Sequence, residues 1–230
     1  MSKLVLKGEP DIAVRMRRSA QCRRLSLRVS GLDGQITLTA PRYMPDRAVR
    51  AFLAEKETWL RSAVQRAPVP KLLSEGAELP VEGRLYRLRL GPVSAVMRED
   101  GLIILPARAA NPLRALGVYL KNLARLRLVA ATETYSAKIG YPFAAITLRD
   151  TRSRWGSCSS VGRLMYSWRL ILAPPPVLRY VAAHEVAHLA EMNHGPAFWR
   201  LVEQICPDWQ RHRDWLRENG ARLHGYRFGD

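Results

Sequence analysis

His184-Glu185-Val186-Ala187-His188, followed by His194, is the stretch of this chain whose residue types and spacing can do chemistry. On a helix, positions i and i+4 share a face one turn apart, so His184 and His188 can aim two imidazoles at one cation. Glu185 then sits beside them, close enough to touch a water on that cation without taking a coordination position. Zinc in a hydrolytic site needs three protein ligands and one open position. His194 is the natural third ligand, because it lies just past the helix end, where a turn can bring its ring back. Glu203, on the following helix, is the alternative, since some HExxH sites use a downstream glutamate. The chain has five histidines, and three of them lie within residues 184–194; the other two, His212 and His224, show no ligand spacing and are expected as surface or helix-end histidines. One zinc ion per chain would acidify its water toward a pKa of about 7, and Glu185 would take the proton as the water attacks a carbonyl, then pass it to the leaving amine. Tyr166, Arg169 and Tyr180 are candidates to stabilise the developing oxyanion. A purely structural zinc would favour four ligands and cysteine; Cys158 is the nearby fourth, and reads instead as a buried, unreactive thiol.

The elements that must position these groups follow from periodicity. Three prolines, Pro174 to Pro176, precede the histidine helix, expected over about 176–190 with Val177, Leu178, Val181, Val186 and Leu189 as its apolar face. Asn193 and Gly195 can both take the positive φ that ends a helix, and Pro196 suits the first turn of the next. Further helices are expected over 197–206 and 209–219, and strands over 145–149 and 164–172. A long helix over 112–138 carries Leu116, Leu120, Leu123, Leu126 and Val129. In the first half, Leu25 to Val29 and Ile36 to Thr39 alternate around Ser30-Gly31-Leu32-Asp33-Gly34, a hairpin signal. One helix then starts near Pro45-Asp46, carries Ala48, Val49, Phe52, Leu53, Trp59, Leu60 and Val64, and ends before Pro68-Val69-Pro70. Strands follow over 86–90, 94–97 and 102–105, the last two joined by Glu99-Asp100-Gly101. This order predicts an α+β fold and argues against a doubly wound parallel sheet. It divides the chain into a β-rich region with one helix over 1–110 and a compact helix-and-sheet domain over 111–230.

Composition narrows the setting. No uncharged apolar run reaches the length of about 18 residues that spans a bilayer, and the start of the chain is too charged for a secretory segment. Cys22, Cys158 and Cys206 form no CxxC pair, so a reducing cytoplasm is expected. The 230 residues carry 37 basic and 20 acidic side chains, a net charge of +17, spread along both halves. Of the basic residues 31 are arginine, which grips phosphate in a bidentate way. That excess comes either from a bias toward arginine codons or from contact with nucleic acid.

Arg152-Ser153-Arg154-Trp155-Gly156-Ser157-Cys158-Ser159, Trp168-Arg169-Leu170, the HExxH segment, Asn193-His194 and Phe198-Trp199 together resemble the YgjP-like metallopeptidase family, related to the SprT-like and WLM zinc peptidases. The resemblance implies a compact zincin-like fold, with the metal helix beside a small sheet, zinc ligands at His184, His188 and His194, and a catalytic Glu185. Metzincins carry Gly where this chain has Glu191, so their fold is not expected. The function implied is hydrolysis of peptide bonds in peptide or protein substrates, among them proteins associated with nucleic acid. A zinc-dependent nucleotide phosphoanhydride hydrolase and a non-enzymatic, basic nucleic-acid binder are the alternatives.

Overall fold

The computed structural model describes residues 2–30, 34–65 and 71–228, and divides the chain into two compact units, Met1–Pro70 and Lys71–Asp230. The first unit contains β1 (Ser2–Leu6), β2 (Ile12–Ser19), β3 (Ser26–Val29), β4 (Ile36–Pro41), α1 (Asp46–Glu55) and α2 (Glu57–Gln65). Its sheet runs β1-β2-β4-β3, with β2 and β4 parallel and both edge strands antiparallel. Alternation along β2 and β4 buries Ile12, Val14, Met16, Ile36 and Leu38, and this face shares a core with Val49 and Leu53 of α1 and Leu60 of α2. The opposite face carries the intervening residues. Lys3, Arg15, Thr37 and Arg28 form one row across the four strands, with Arg17 in the next row beside Thr39. The expected hairpin is present as β3 and β4, while residues 31–33 at its tip, and Pro68 to Pro70, lie outside the described residues. The expected single helix is two helices, because the backbone leaves helical geometry at Lys56 (φ −92°, ψ 6°).

The second unit contains β5 (Lys71–Leu72), β6 (Glu78–Val81), β7 (Arg84–Gly91), β8 (Met97–Glu99), β9 (Leu102–Pro106), α3 (Pro112–Ile139), β10 (Ala145–Arg149), β11 (Gly156–Cys158) and β12 (Arg163–Ser167). A 3₁₀ turn over Trp168–Leu172 follows, then α4 (Pro175–Ala187), α5 (Pro196–Ile205), α6 (Trp209–Leu223) and β13 (Tyr226–Arg227). The strands form sheets in the orders β6-β7-β9-β8, β10-β12-β11 and β13-β5. Mixed helices and sheets of this kind make the α+β class. The division expected at 110/111 is corrected: Leu79, Val81, Leu88, Ile103 and Leu105 share one core with Leu116, Leu120 and Leu128 of α3. A sheet whose apolar face is buried on a helix folds with that helix, whatever the loop between them looks like. That loop ends in Asn111, which caps α3 by accepting a hydrogen bond from the Arg114 N–H at 2.9 Å.

The expected strand over 164–172 also ends early. Residues 168–172 are all buried. A strand alternates its faces, whereas a tight turn can pack five consecutive side chains inward. Arg169 is held there by two bonds to Asp150 (2.6 and 3.0 Å) and by the carbonyls of Leu223 (3.1 Å) and Tyr226 (3.0 Å). Along α3 the buried stripe is Leu116, Leu120, Ala124, Leu128, Ala131 and Tyr135, so Leu126, expected on the apolar face, is exposed.

Candidate metal centre

Helix α4 begins with Pro175 and Pro176 in its first turn and buries Val177, Leu178, Val181, Ala182 and Val186. This leaves His184 and Glu185 inside the last turns and His188 at the C-cap, and the helix ends three residues before the expected end. The chain unwinds through the Leu189 N–H to Val186 carbonyl bond (2.9 Å) and turns where the Gly195 N–H meets the Asn193 carbonyl (2.8 Å). Neither Asn193 nor Gly195 takes a positive φ, contrary to expectation. The turn carries His194 back over α4. Its Nε2 lies 3.1 Å from Nε2 of His184, and ring nitrogens of His184, His188 and His194 all fall within 4.8 Å of one another. Phe198 of α5 is fully buried and stacks on the His188 ring with centroids 4.4 Å apart, forming one wall. Glu203 is exposed and stands outside this group, as does Cys158.

The ring chemistry suits a cation. The Glu191 carbonyl can only accept, so the 2.9 Å contact to His188 Nδ1 puts the proton there and leaves Nε2 as a lone pair. Burial, with its neighbours His188 and His194, depresses the His184 pKa to about 3, and burial also lowers that of His188, so both rings are neutral near pH 7. Nδ1 of His184 is buried and has no hydrogen-bond partner among the described residues. Three imidazoles form a donor set that suits zinc and neighbouring transition metals. Glu185 is 5% exposed, and burial raises its carboxyl to about 8 against the opposing charge of Arg154. Gly156 of β11, the edge strand beside α4, makes room for it: a Cβ there would come 2.5 Å from Glu185 Oε1.

The model of the YgjP-like metallopeptidase domain matches residues 23–219. The chain belongs to the YgjP-like family. It is accordingly a metallopeptidase, a hydrolase that acts on peptides through a bound metal. The crystal structure of the metallopeptidase zymogen of Pyrococcus abyssi abylysin is similar over 40% of the YgjP-like chain and 92% of that chain, at 21% identity and a TM-score of 0.37. No curated protein matches. Among the described residues no helix is long and apolar enough to cross a membrane.

Of the three residues expected near the oxyanion, Tyr180 stands against the YgjP-like site, edge-on to His184 with ring centroids 6.0 Å apart. Tyr166 is buried with its hydroxyl 3.0 Å from that of Thr132, and every Arg169 bond described above is structural. Trp168 lies in the core, and Trp155 packs on Gly220 and the His224 ring, at 4.7 Å from the latter. Phe198, Gly156 and Arg154, which the sequence offers as part of the family resemblance, stand beside the site, and Gly156 and Arg154 reach Glu185 only through the fold.

His224, expected as a surface or helix-end histidine, caps α6 but is buried. Burial and the Arg169 charge hold its pKa near 4. The folded state therefore resists a proton that the unfolded chain accepts from about pH 6.5 downward. Stability from this group is complete above that pH and is lost as pH falls toward 4. Denaturant midpoints between pH 7 and 4 should fall more steeply for the wild type than for His224→Gln, and parallel curves would refute this.

Proposed function

We propose that this metallopeptidase uses zinc held by His184, His188 and His194, with Glu185 as the general base in peptide-bond hydrolysis. The observation that carries the reading is the convergence of three imidazoles, two of them held neutral by burial, beside one buried carboxyl. When bound, zinc supplies a Lewis acid that acidifies water and polarises a carbonyl. The protein's own residues do the rest. Glu185, buried beside the three rings in the space that Gly156 leaves, is placed to take a proton from the attacking water and return it to the leaving amine. Tyr180, its phenol raised to about 12 by burial, stays protonated and is the hydrogen-bond donor best situated for the oxyanion. Purified protein should contain about one zinc per chain by mass spectrometry, and His188→Ala should hold less than about a tenth of that, because two imidazoles bind zinc far more weakly than three. If neither protein takes up metal even with added zinc, the assignment fails.

The finer reading, that substrates are proteins bound to nucleic acid, is supported by the charge of +17 and by the sheet of the first unit. On its open face Lys3, Arg15, Arg17 and Arg28 have no carboxylate partner among the described residues, and no acidic residue shares their rows. Three unpaired cysteines fit the reducing cytoplasm where such substrates lie. Neutralising about four phosphates gives a salt slope of about −3 for binding of a single-stranded oligonucleotide. The triple change Arg15→Gln, Arg17→Gln and Arg28→Gln should reduce that slope to about −1. Equal slopes for the two proteins would rule this face out.

A further inference from the structure

A cavity of about 410 Å³ opens beside His188. Phe143, Val161, Leu189 and Met192 line it, with Ser159 and Ser160 as its uncharged polar residues. Among its lining residues His188 is the only ionisable one, in a chain with 37 basic side chains. Val161 and Met192 are 64% and 51% exposed, so two large apolar side chains stand in water in the lining of a cavity that a proposed metal ligand also lines. Apolar surface grouped in this way marks a place that something apolar covers.

The walls are built before any occupant arrives. The Ala144 N–H donates to the Gly162 carbonyl at 2.9 Å, tying the start of β10 to the β11–β12 turn. That turn is closed by bonds from Ser159 N–H to the Arg163 carbonyl (3.0 Å) and from Gly162 N–H to the Ser159 carbonyl (2.9 Å). Gly162 adopts φ +69°, where a side chain would be strained. On the other side, the His188 bond to the Glu191 carbonyl holds the segment that carries Met192. A preformed apolar cavity binds without first ordering its walls. A charged side chain entering it would give up water and find no opposite charge.

We propose that this cavity is the subsite for a substrate side chain adjoining the bond to be cut, and that it takes a large apolar side chain of the leucine, methionine or phenylalanine class. The inference rests on the metallopeptidase reading of the adjacent histidines, and its test is separable from that reading. N-acetyl-phenylalanine amide, titrated into zinc-treated Glu185→Gln, should give saturable amide shifts at Gly162 and Leu189 by heteronuclear NMR. N-acetyl-aspartate amide should bind at least about tenfold more weakly, and Val161→Asp, at an exposed position, should weaken the phenylalanine probe by about tenfold. No saturable shift, or equal affinity for the two probes, overturns the subsite whether or not the protein cuts peptides. Mass-spectrometric mapping of casein cleavage by the wild type should find apolar residues at one flank of the cut and a shift toward lysine and arginine in Val161→Asp. Cuts without that preference overturn the subsite and leave the peptidase reading standing. Absence of any cut counts against the peptidase reading, while the NMR titration still decides the subsite.

Discussion

Glu185→Gln should keep about one zinc per chain and lose peptide hydrolysis by roughly a thousandfold, the middle of the range for a general base. The amide has nearly the shape of the carboxyl, so it fits the space left by Gly156, where a Cβ would lie 2.5 Å from Oε1. It removes the basic oxygen and nothing else near the three rings. The metal content should therefore stay at the wild-type value while kcat/KM on a fluorogenic peptide collapses. Two outcomes are informative in opposite ways. Loss of both metal and activity would make Glu185 a part of the metal site. Full activity in the variant would remove Glu185 from the mechanism. Enlarging Gly156 gives a related effect by another route, since any side chain at that position must displace the Glu185 carboxyl.

Arg169→Met should cost about 3 kcal/mol of stability, because it leaves buried acceptors without a donor. Arg169 is 5% exposed and spends its guanidinium on the Asp150 carboxylate and on the carbonyls of Leu223 and Tyr226. Burial works to raise the Asp150 carboxyl, but the hydrogen bonds from Arg169 outweigh it and hold the group below its ordinary value. The Asp150 side chain keeps 48% of its exposure, so water recovers part of its loss. The two carbonyls have no such relief, which sets the estimate at the low end for a broken buried pair. For a chain of this size the melting temperature should drop by about 6–12 °C in thermal unfolding followed by circular dichroism. Arg169→Lys should recover little, since an ammonium cannot make the two-pronged contact with Asp150. An unchanged melting temperature in Arg169→Met would show that the pair does not hold the C-terminal segment. Below its melting point the variant should keep its kcat, which separates this structural role from the oxyanion role suggested by sequence alone.

Local chemistry was legible in the chain before any fold was known. The HExxH spacing puts two imidazoles and one carboxyl on adjacent turns, because helix geometry depends only on residues a few positions apart. The α+β order, the β3–β4 hairpin and α3 followed from periodicity for the same reason. Three expectations failed where distant parts of the chain meet. The domain division moved from 110/111 to 70/71 because the β6–β9 sheet buries its apolar face with α3, and no loop composition reports which neighbour a sheet will choose. The strand expected through residue 172 became a 3₁₀ turn because Arg169 finds its partners at Asp150, Leu223 and Tyr226. His224 was expected near the surface, and the packing of Trp155 on α6 buries it instead.

The sequence by itself determined which groups can hold a metal and move a proton, since their identity and local spacing need only a helix and a turn. Tertiary structure alone decided that His194 rather than Glu203 comes back to the other two rings, that Gly156 and burial enclose Glu185 and raise its pKa, and that an uncharged cavity adjoins His188. The reason is physical: ligand type is a property of one side chain, whereas desolvation and cavity shape arise only when segments far apart in the chain exclude water together.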